Sequence, residues 1–292
     1  MEKKSNLVSP IGLIAGNGHF PIEFAKGARD RGLSIVAVAH LGESDPALEE
    51  LVDHITWIKV GQLGKIIKVF KRKGVKQAAF AGGLARPRLF DGFRPDLKGM
   101  LLMARLRSLK DDVVLRAISA EIESHEISIF SACEVLTESV PKSGLYSRRF
   151  FSASELEDAI IGWECAREIG RLDVGQTVIV KKKTIVAVEA VEGTDRAILR
   201  AGELCGTDFT VVKLCKPQQD TRFDQPTVGV KTIETMIKAG GSALVLEAEK
   251  SLLLHPDEVV QKADAADIAL VVAASEEEMK ELASGGRSRQ AL

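Results

Sequence analysis

Short apolar runs, each followed by an amphipathic stretch, alternate through the first part of the chain. IGLIAG (11–16), SIVAVAH (34–40), HITWIKV (54–60), QAAFAGG (77–83) and EISIFSA (126–132) read as strands. Between them, PIEFAKGARDRG places Ile22, Phe24, Ala25 and Ala28 on one helical stripe, while QLGKIIKVFKRKG (62–74) and DVVLRAISAEIESH (112–125) are also helical. A strand that is apolar at nearly every position must be covered on both faces. Strands that alternate with helices are joined by crossovers, so this pattern predicts a parallel, doubly wound sheet.

The pattern loosens at ESVPKSGLYSRRFFSAS, with Pro141, Gly144 and several serines. The expected organisation is a Rossmann-like N-terminal domain over 1–134, a linker over 135–153, a smaller mixed α/β C-terminal domain over 154–284 and a disordered tail over 285–292. The second domain opens with a helix at SELEDAIIGWECAREIGRL, where Ser154 and Glu157 have the spacing of a capping box. TVIVKKKTIVAVEAVEG (177–193) reads as a hairpin, and helices and strands alternate from there to IALVVAA (268–274). The fold class is α/β throughout.

Bulk charge excludes some partners. Forty Lys and Arg nearly cancel 41 Asp and Glu, so no overall field points to nucleic acid. No apolar run approaches the roughly 18 residues of a membrane span, and MEKKSNLVSP is too short and polar for a secretory signal. Cys133, Cys165, Cys205 and Cys215 are scattered without metal-ligand spacing, which predicts buried free thiols in a reducing cytoplasm.

Four loops have the composition of binding sites. AGNGHFP (15–21) places Gly16, Asn17 and Gly18 between the first strand and helix, where backbone amides favour an anion. Pro21 stands where a dinucleotide fingerprint needs its third glycine, which argues against a nicotinamide-dependent oxidoreductase. FAGGLARPR (80–88) offers Gly82, Gly83 and the cation Arg86. AVEAVEGTDRAILRAG (187–202) sets Gly193, Thr194 and Asp195 at a helix start, and Glu189 in its apolar strand calls for a partner such as Arg200, Lys213 or Arg222. In KPQQDTRFDQPTVG (216–229), Asp220, Arg222 and Asp224 alternate, so an extended backbone would turn them to one face. Pro217 and Pro226 stiffen the flanks of this loop, and Gln219, Lys216 and Lys213 stand nearby. Two carboxylates held beside cations suit a magnesium ion and a phosphate. The segment 86–110, basic and rich in Leu, Met and Phe, suits anionic headgroups or acyl chains.

AGNGHFP, FAGGLARP, SLKDDVVLR, VGQTVIV, AVEAVEGTDRAILRAG and KPQQDTRFDQPTVGVKTI, taken in order, resemble the LpxI-type UDP-2,3-diacylglucosamine pyrophosphatases over almost the whole chain. One departure is KPQQD, where members often carry glycine before the glutamine. The resemblance implies Mg²⁺-dependent hydrolysis of UDP-2,3-diacylglucosamine to UMP and 2,3-diacylglucosamine 1-phosphate, in the making of lipid A. It also implies a homodimer and a cytoplasmic location, with possible peripheral contact to the inner membrane. By the same resemblance Asp224 is the essential acid, and Asp220 positions metal or water. Arg222 and Lys213 would meet the diphosphate, and Gly193, Thr194 and Asp195 would complete the site. The alternative is a non-catalytic binder of a sugar nucleotide or acylated sugar phosphate, which would use the same loops without turnover.

Overall fold

The computed structural model describes residues 7–83, 94–106, 111–220, 222–223 and 225–285, with backbone alone at 111 and 112. Residues 84–93 and 107–110 of the basic apolar stretch and 286–292 of the expected tail lie outside the described residues. The chain divides into two compact units, Met1–Thr137 with Asp220–Asp224, and Glu138–Gln219 with Gln225–Leu292. The sequence reading placed the whole of 154–284 in the second domain, whereas 220–224 group with the first unit.

In the first unit, β1 (Ile11–Ala15), β2 (Ile35–His40), β3 (His54–Ile58), β4 (Gln77–Ala81) and β5 (Ser128–Ile129) form a parallel sheet in the order β3-β2-β1-β4-β5. Side chains alternate across it. Ile11, Leu13 and Ala15 pack with Phe24 and Ala28 of α1 (Phe20–Asp30), while Ile14 packs on the opposite face with Ile66, Ile67 and Phe70 of α2 (Leu63–Arg72). After α3 (Leu97–Arg105), α4 (Asp111–Glu123) adds Ile122 to that second face. The doubly wound reading therefore holds, and both faces are apolar because both are covered. EISIFSA shrinks to a two-residue strand, since Ser131 turns the chain by accepting from the Cys133 amide at 3.3 Å.

The second unit has a wider, mixed sheet. β6 (Gly144–Leu145), β7 (Thr177–Lys181), β8 (Thr184–Val188), β9 (Phe209–Lys213), β11 (Gly241–Glu247) and β13 (Ala269–Ala273) lie in the order β6-β13-β11-β9-β7-β8. β9, β11 and β13 are parallel, and the other three run antiparallel to their neighbours. β10 (Thr227–Val228) and β12 (Leu252–Leu253) pair separately. One face is covered by α5 (Ala153–Arg171), through Trp163 and Ala166, and by the C-terminal α9 (Glu276–Ala283). The other is covered by α6 (Thr194–Cys205), α7 (Val230–Ala239) and α8 (Pro256–Ala265). β6 falls inside the stretch expected as a linker and edges the sheet, pairing with β13. The β7–β8 hairpin turns at Lys182 and Lys183, both at positive φ, with their amides held by the Asp158 carboxylate at 3.0 and 2.6 Å.

The start of α5 differs from the sequence expectation by two residues. The pattern S-x-x-E occurs twice, at Ser152–Glu155 and at Ser154–Glu157, and the first forms the capping box. Glu155 wins because it has a second partner: Arg149 grips it with two hydrogen bonds of 2.8 Å and also donates to the Ser242 carbonyl at 2.6 Å. Burial alone would raise the Glu155 pKa, but the guanidinium and the Ser152 amide outweigh it and hold the pKa at about 2. A depressed carboxylate pKa stabilises the fold above the ordinary value and loses that contribution as the group protonates. Glu155→Gln is therefore expected to cost about 1–3 kcal/mol at neutral pH. The difference in unfolding free energy from wild type should shrink as pH falls from the ordinary carboxylate range towards about 2. Chemical denaturation at a series of pH values checks this; a pH-independent gap would rule the ion pair out as its source.

Candidate active site

In the first sheet the chain steps outward from β1 to β2 and β3, then returns to the other side of β1 as β4. The carboxyl ends of β1 and β4 therefore flank the point where the winding reverses, which is where sheets of this type bind ligands. The two glycine loops meet there. Asn17 and Gly83 form an antiparallel bridge, with the Gly16 amide donating to Ala81 O at 2.8 Å and the Asn17 amide to Gly83 O at 2.7 Å. A Cβ on Gly16 would stand 2.2 Å from the Gly83 carbonyl oxygen, and Gly82 is at φ +81°, so both glycines are required by backbone approach. The amides of Gly16 and Asn17 are thus committed to the partner loop rather than open to an anion. Gly18, also at positive φ, has open space where a Cβ would be. Arg86 lies outside the described residues.

The acidic loop is a turn, not an extended strand. The Phe223 amide donates to Asp220 O at 3.0 Å, and the Arg222 amide to Asp220 Oδ1 at 3.1 Å. Phe223 anchors this turn inside the first unit, its ring edge-on to Phe80 at 5.7 Å, three residues before Gly83 on β4. Arg222 Nε and Nη2 donate to Asp220 at 3.0 and 2.8 Å, and Nη1 donates to Glu123 at 3.1 Å. The Arg222 hydrogen bond holds the Asp220 pKa below its ordinary value, and Asp220 in turn raises that of Arg222. With Arg116 3.8 Å away as well, Asp220 is already neutralised by guanidinium on both oxygens. That donor arrangement does not fit a magnesium ligand, which must offer its oxygens to the ion. Asp220 is placed to orient Arg222 instead. Asp224, expected as the essential acid and a metal ligand, lies outside the described residues.

The remaining candidates meet at the edge of the second sheet. Glu189 follows β8, Thr194 opens α6 and Lys213 ends β9. Lys213 Nζ donates to Thr194 Oγ1 at 2.6 Å, and that hydroxyl donates to Glu189 Oε1 at 2.9 Å. Lys213 is 4% exposed, and no carboxylate of the described residues pairs with it directly. An ammonium has three protons to donate, and among the described residues Thr194 takes one. A buried cation beside a helix N-terminus whose N-cap Gly193 supplies no side-chain cap is suited to a phosphate oxygen. Glu189 was flagged for its place in an apolar strand, and of the three partners weighed it reaches Lys213, through Thr194. Its Oε2 is buried without a hydrogen-bond partner among the described residues. Arg200 turns to Glu192 at 2.5 Å.

Two candidates point elsewhere. Asp195 pairs with Lys231 at 3.1 Å on the surface, and Gln219 accepts from the Lys216 amide at 3.0 Å, shaping the turn after Cys215. Lys216 itself is closed by Asp173 at 2.7 Å. The sequence reading missed Glu247, fully buried at the end of β11. It is held by Arg167 at 2.8 and 3.1 Å, by Lys250 at 2.8 Å and by the Cys215 amide at 2.9 Å. The signal was a lone acid closing the apolar run SALVLE.

Residues 10–139 match the LpxI N-terminal domain and residues 142–271 match the LpxI C-terminal domain. A relative from Caulobacter vibrioides, named UDP-2,3-diacylglucosamine pyrophosphatase LpxI, is 32% identical over 273 residues, covering 90% of this chain and 96% of its own. Among solved structures, the biotin carboxylase subunit of pyruvate carboxylase is 15% identical with a TM-score of 0.26, covering 68% of this chain and 43% of that one. N5-carboxyaminoimidazole ribonucleotide synthetase from Thermus thermophilus is 14% identical with a TM-score of 0.23, covering 69% of this chain and 45% of that one. The chain thus spans less than half the length of these two structures, and scores this low establish no common fold. Both domain matches, in order, and the relative aligned along nearly its full length show that the chain belongs to the LpxI family.

Proposed function

We propose that this protein hydrolyses the diphosphate of UDP-2,3-diacylglucosamine, releasing UMP and 2,3-diacylglucosamine 1-phosphate in lipid A biosynthesis. The observation that carries the reading is the relation to the Caulobacter vibrioides pyrophosphatase across 90% of the chain. The buried Lys213, whose one hydrogen bond among the described residues goes to Thr194, supports it from the side of chemistry. As a diphosphate bond breaks, charge grows on the departing oxygens, and a desolvated cation fixed in advance stabilises that charge without reorganising. On this reading Lys213 and the first amides of α6 hold a phosphate oxygen, and Asp224 orients or deprotonates the attacking water. Asp220 keeps Arg222 aimed.

Magnesium dependence is part of the proposal and rests on Asp224 rather than Asp220; the ion would offset phosphate charge. A homodimer, a cytoplasmic location and peripheral contact with a membrane belong to the same proposal. No helix of the described residues is long and apolar enough to cross a membrane. Leu97, Met100 and Leu101 of α3 are exposed apolar side chains of the kind an acylated substrate or a lipid surface would cover.

Three outcomes are expected when UMP release is followed with UDP-2,3-diacylglucosamine. Asp224→Ala should lower kcat roughly 10²–10⁴-fold with its melting temperature unchanged; turnover near wild type would remove Asp224 from the reaction. EDTA should stop UMP release and added Mg²⁺ restore it, whereas full activity in EDTA would remove the metal. Lys213→Met should cost roughly 10²–10³-fold in kcat/KM, and an unchanged value would show that the buried ammonium is structural only. Substrate binding without any UMP release by wild type would favour the non-catalytic alternative.

A further inference from the structure

The acidic loop leaves the second unit after Gln219, and the chain returns to that unit at Gln225. Its two feet both stand on one turn, the stretch from Glu247 at the end of β11 to Leu252 at the start of β12. At the first foot the Cys215 amide donates to Glu247 Oε2 at 2.9 Å. At the second the Leu252 amide donates to Pro226 O at 2.8 Å, and the Leu254 amide donates to Val228 O at 2.9 Å. Between them Lys250 turns back to Glu247 Oε1 at 2.8 Å, which closes the turn on the same carboxylate. The spacing of the two feet is therefore set by this turn.

The end of α5 grips the first foot from its other side. Arg167 donates to both oxygens of Glu247, at 2.8 and 3.1 Å, and its Nη1 also donates to Cys215 O at 3.2 Å. Both backbone polar groups of Cys215 are thus held, one by a carboxylate and the other by the guanidinium paired with it. Arg167 lies over the Trp163 ring, 5.4 Å from its centroid, which fixes the plane of the fork. Further along, Gly170 O accepts from Gln218 Nε2 at 2.8 Å, and a Cβ on Gly170 would stand 3.2 Å from Pro217 Cδ. Asp173, just past the helix, pairs with Lys216 at 2.7 Å, with side chains 5% and 10% exposed. The Gln219 amide then donates to Lys216 O at 3.0 Å.

A connecting loop does not need two desolvated ion pairs at its root for stability. Apolar side chains of the same volume would hold it as well or better, because charges are costly to bury. What a forked, charge-assisted pair adds is direction: it fixes the backbone it grips to one geometry. Asp220 follows the gripped foot directly, so an error in the foot passes on to Asp220 and to the Arg222 that it orients. We propose that Glu247, Arg167 and the Lys216–Asp173 pair are positioning residues for the hydrolytic reaction, which act by fixing the root of the acidic loop rather than by touching substrate. The proposal rests on the hydrolase reading, which gives this loop its reacting acid.

The test follows alkylation of each cysteine of the folded full chain by iodoacetamide, resolved by mass spectrometry, beside steady-state UMP release. Cys215 is 3% exposed inside the clamp, whereas Cys133, Cys165 and Cys205 are half-buried and serve as internal references. Glu247→Gln and Asp173→Asn should speed alkylation of Cys215 roughly tenfold or more, because hydrogen bonds between charged groups are lost, and leave the three references unchanged. In the same variants kcat should fall roughly 10–10²-fold while KM stays within about twofold of wild type. Asp173→Asn leaves the Glu247 network whole and tolerates the positive φ at that position, so it carries the test if Glu247→Gln does not fold. A purely structural role would lower the melting temperature and speed all the cysteines together, with kcat per folded molecule at the wild-type value, and that pattern would overturn the proposal. A Cys215 that stays protected in both variants would overturn it too. If Cys215 opens while kcat holds, the positioning role fails and the hydrolase reading stands. If wild type releases no UMP, the hydrolase reading fails, and the alkylation pattern still decides whether these residues hold the loop root.

Discussion

Covering both faces of a sheet leaves its strands few places for polar chemistry except their ends. That constraint orders both units. In the first, Ile11, Leu13, Ile14 and Ala15 of β1 are all buried, and the hydrogen-bonding groups gather where β1, β2 and β4 stop. In the second, the interior of β9 is apolar apart from Thr210, and Lys213 stands at its last position. The neighbouring β11 likewise ends in Glu247. The charge at each end is then settled by what the adjoining helix supplies: Thr194 of α6 for Lys213, Arg167 of α5 for Glu247.

The two strand-end charges have opposite outcomes. Glu247 is surrounded by Arg167, Lys250 and a backbone amide, a satisfied network that ties α5 to the sheet. Such pairs are strongly destabilising to break from one side, because a buried charge is left behind. Among the described residues Lys213 has a hydroxyl rather than a carboxylate as its contact, and Glu189 lies one hydrogen bond further on. Asp220 and Arg222 follow the first pattern, since guanidinium and carboxylate meet through two bonds and Glu123 takes a third donor.

Sequence pattern located most strands and helices because burial is periodic in the chain itself. It was less reliable where two local solutions were equally good. Ser152 and Ser154 both begin an S-x-x-E motif, and only the position of Arg149, gripping Glu155, decides between them. The alternating Asp220, Arg222 and Asp224 suggested one charged face, but a carboxylate two residues before an arginine can instead close a turn upon it. Glycines were recognised as permissive without revealing their purpose. Gly16 and Gly82 serve the approach of two loops 66 residues apart in the chain, which no local window contains.

The amino-acid order by itself determined the α/β class, the family and the residue types available at each loop, because these follow from periodicity and from motifs that lie contiguously in the chain. Only the tertiary structure decided which polar groups meet: Glu189 with Lys213 through Thr194, Asp220 with Arg222, and Glu43 with Asn17. The physical reason is that an electrostatic partner is chosen by distance in space and by desolvation, and folding sets both.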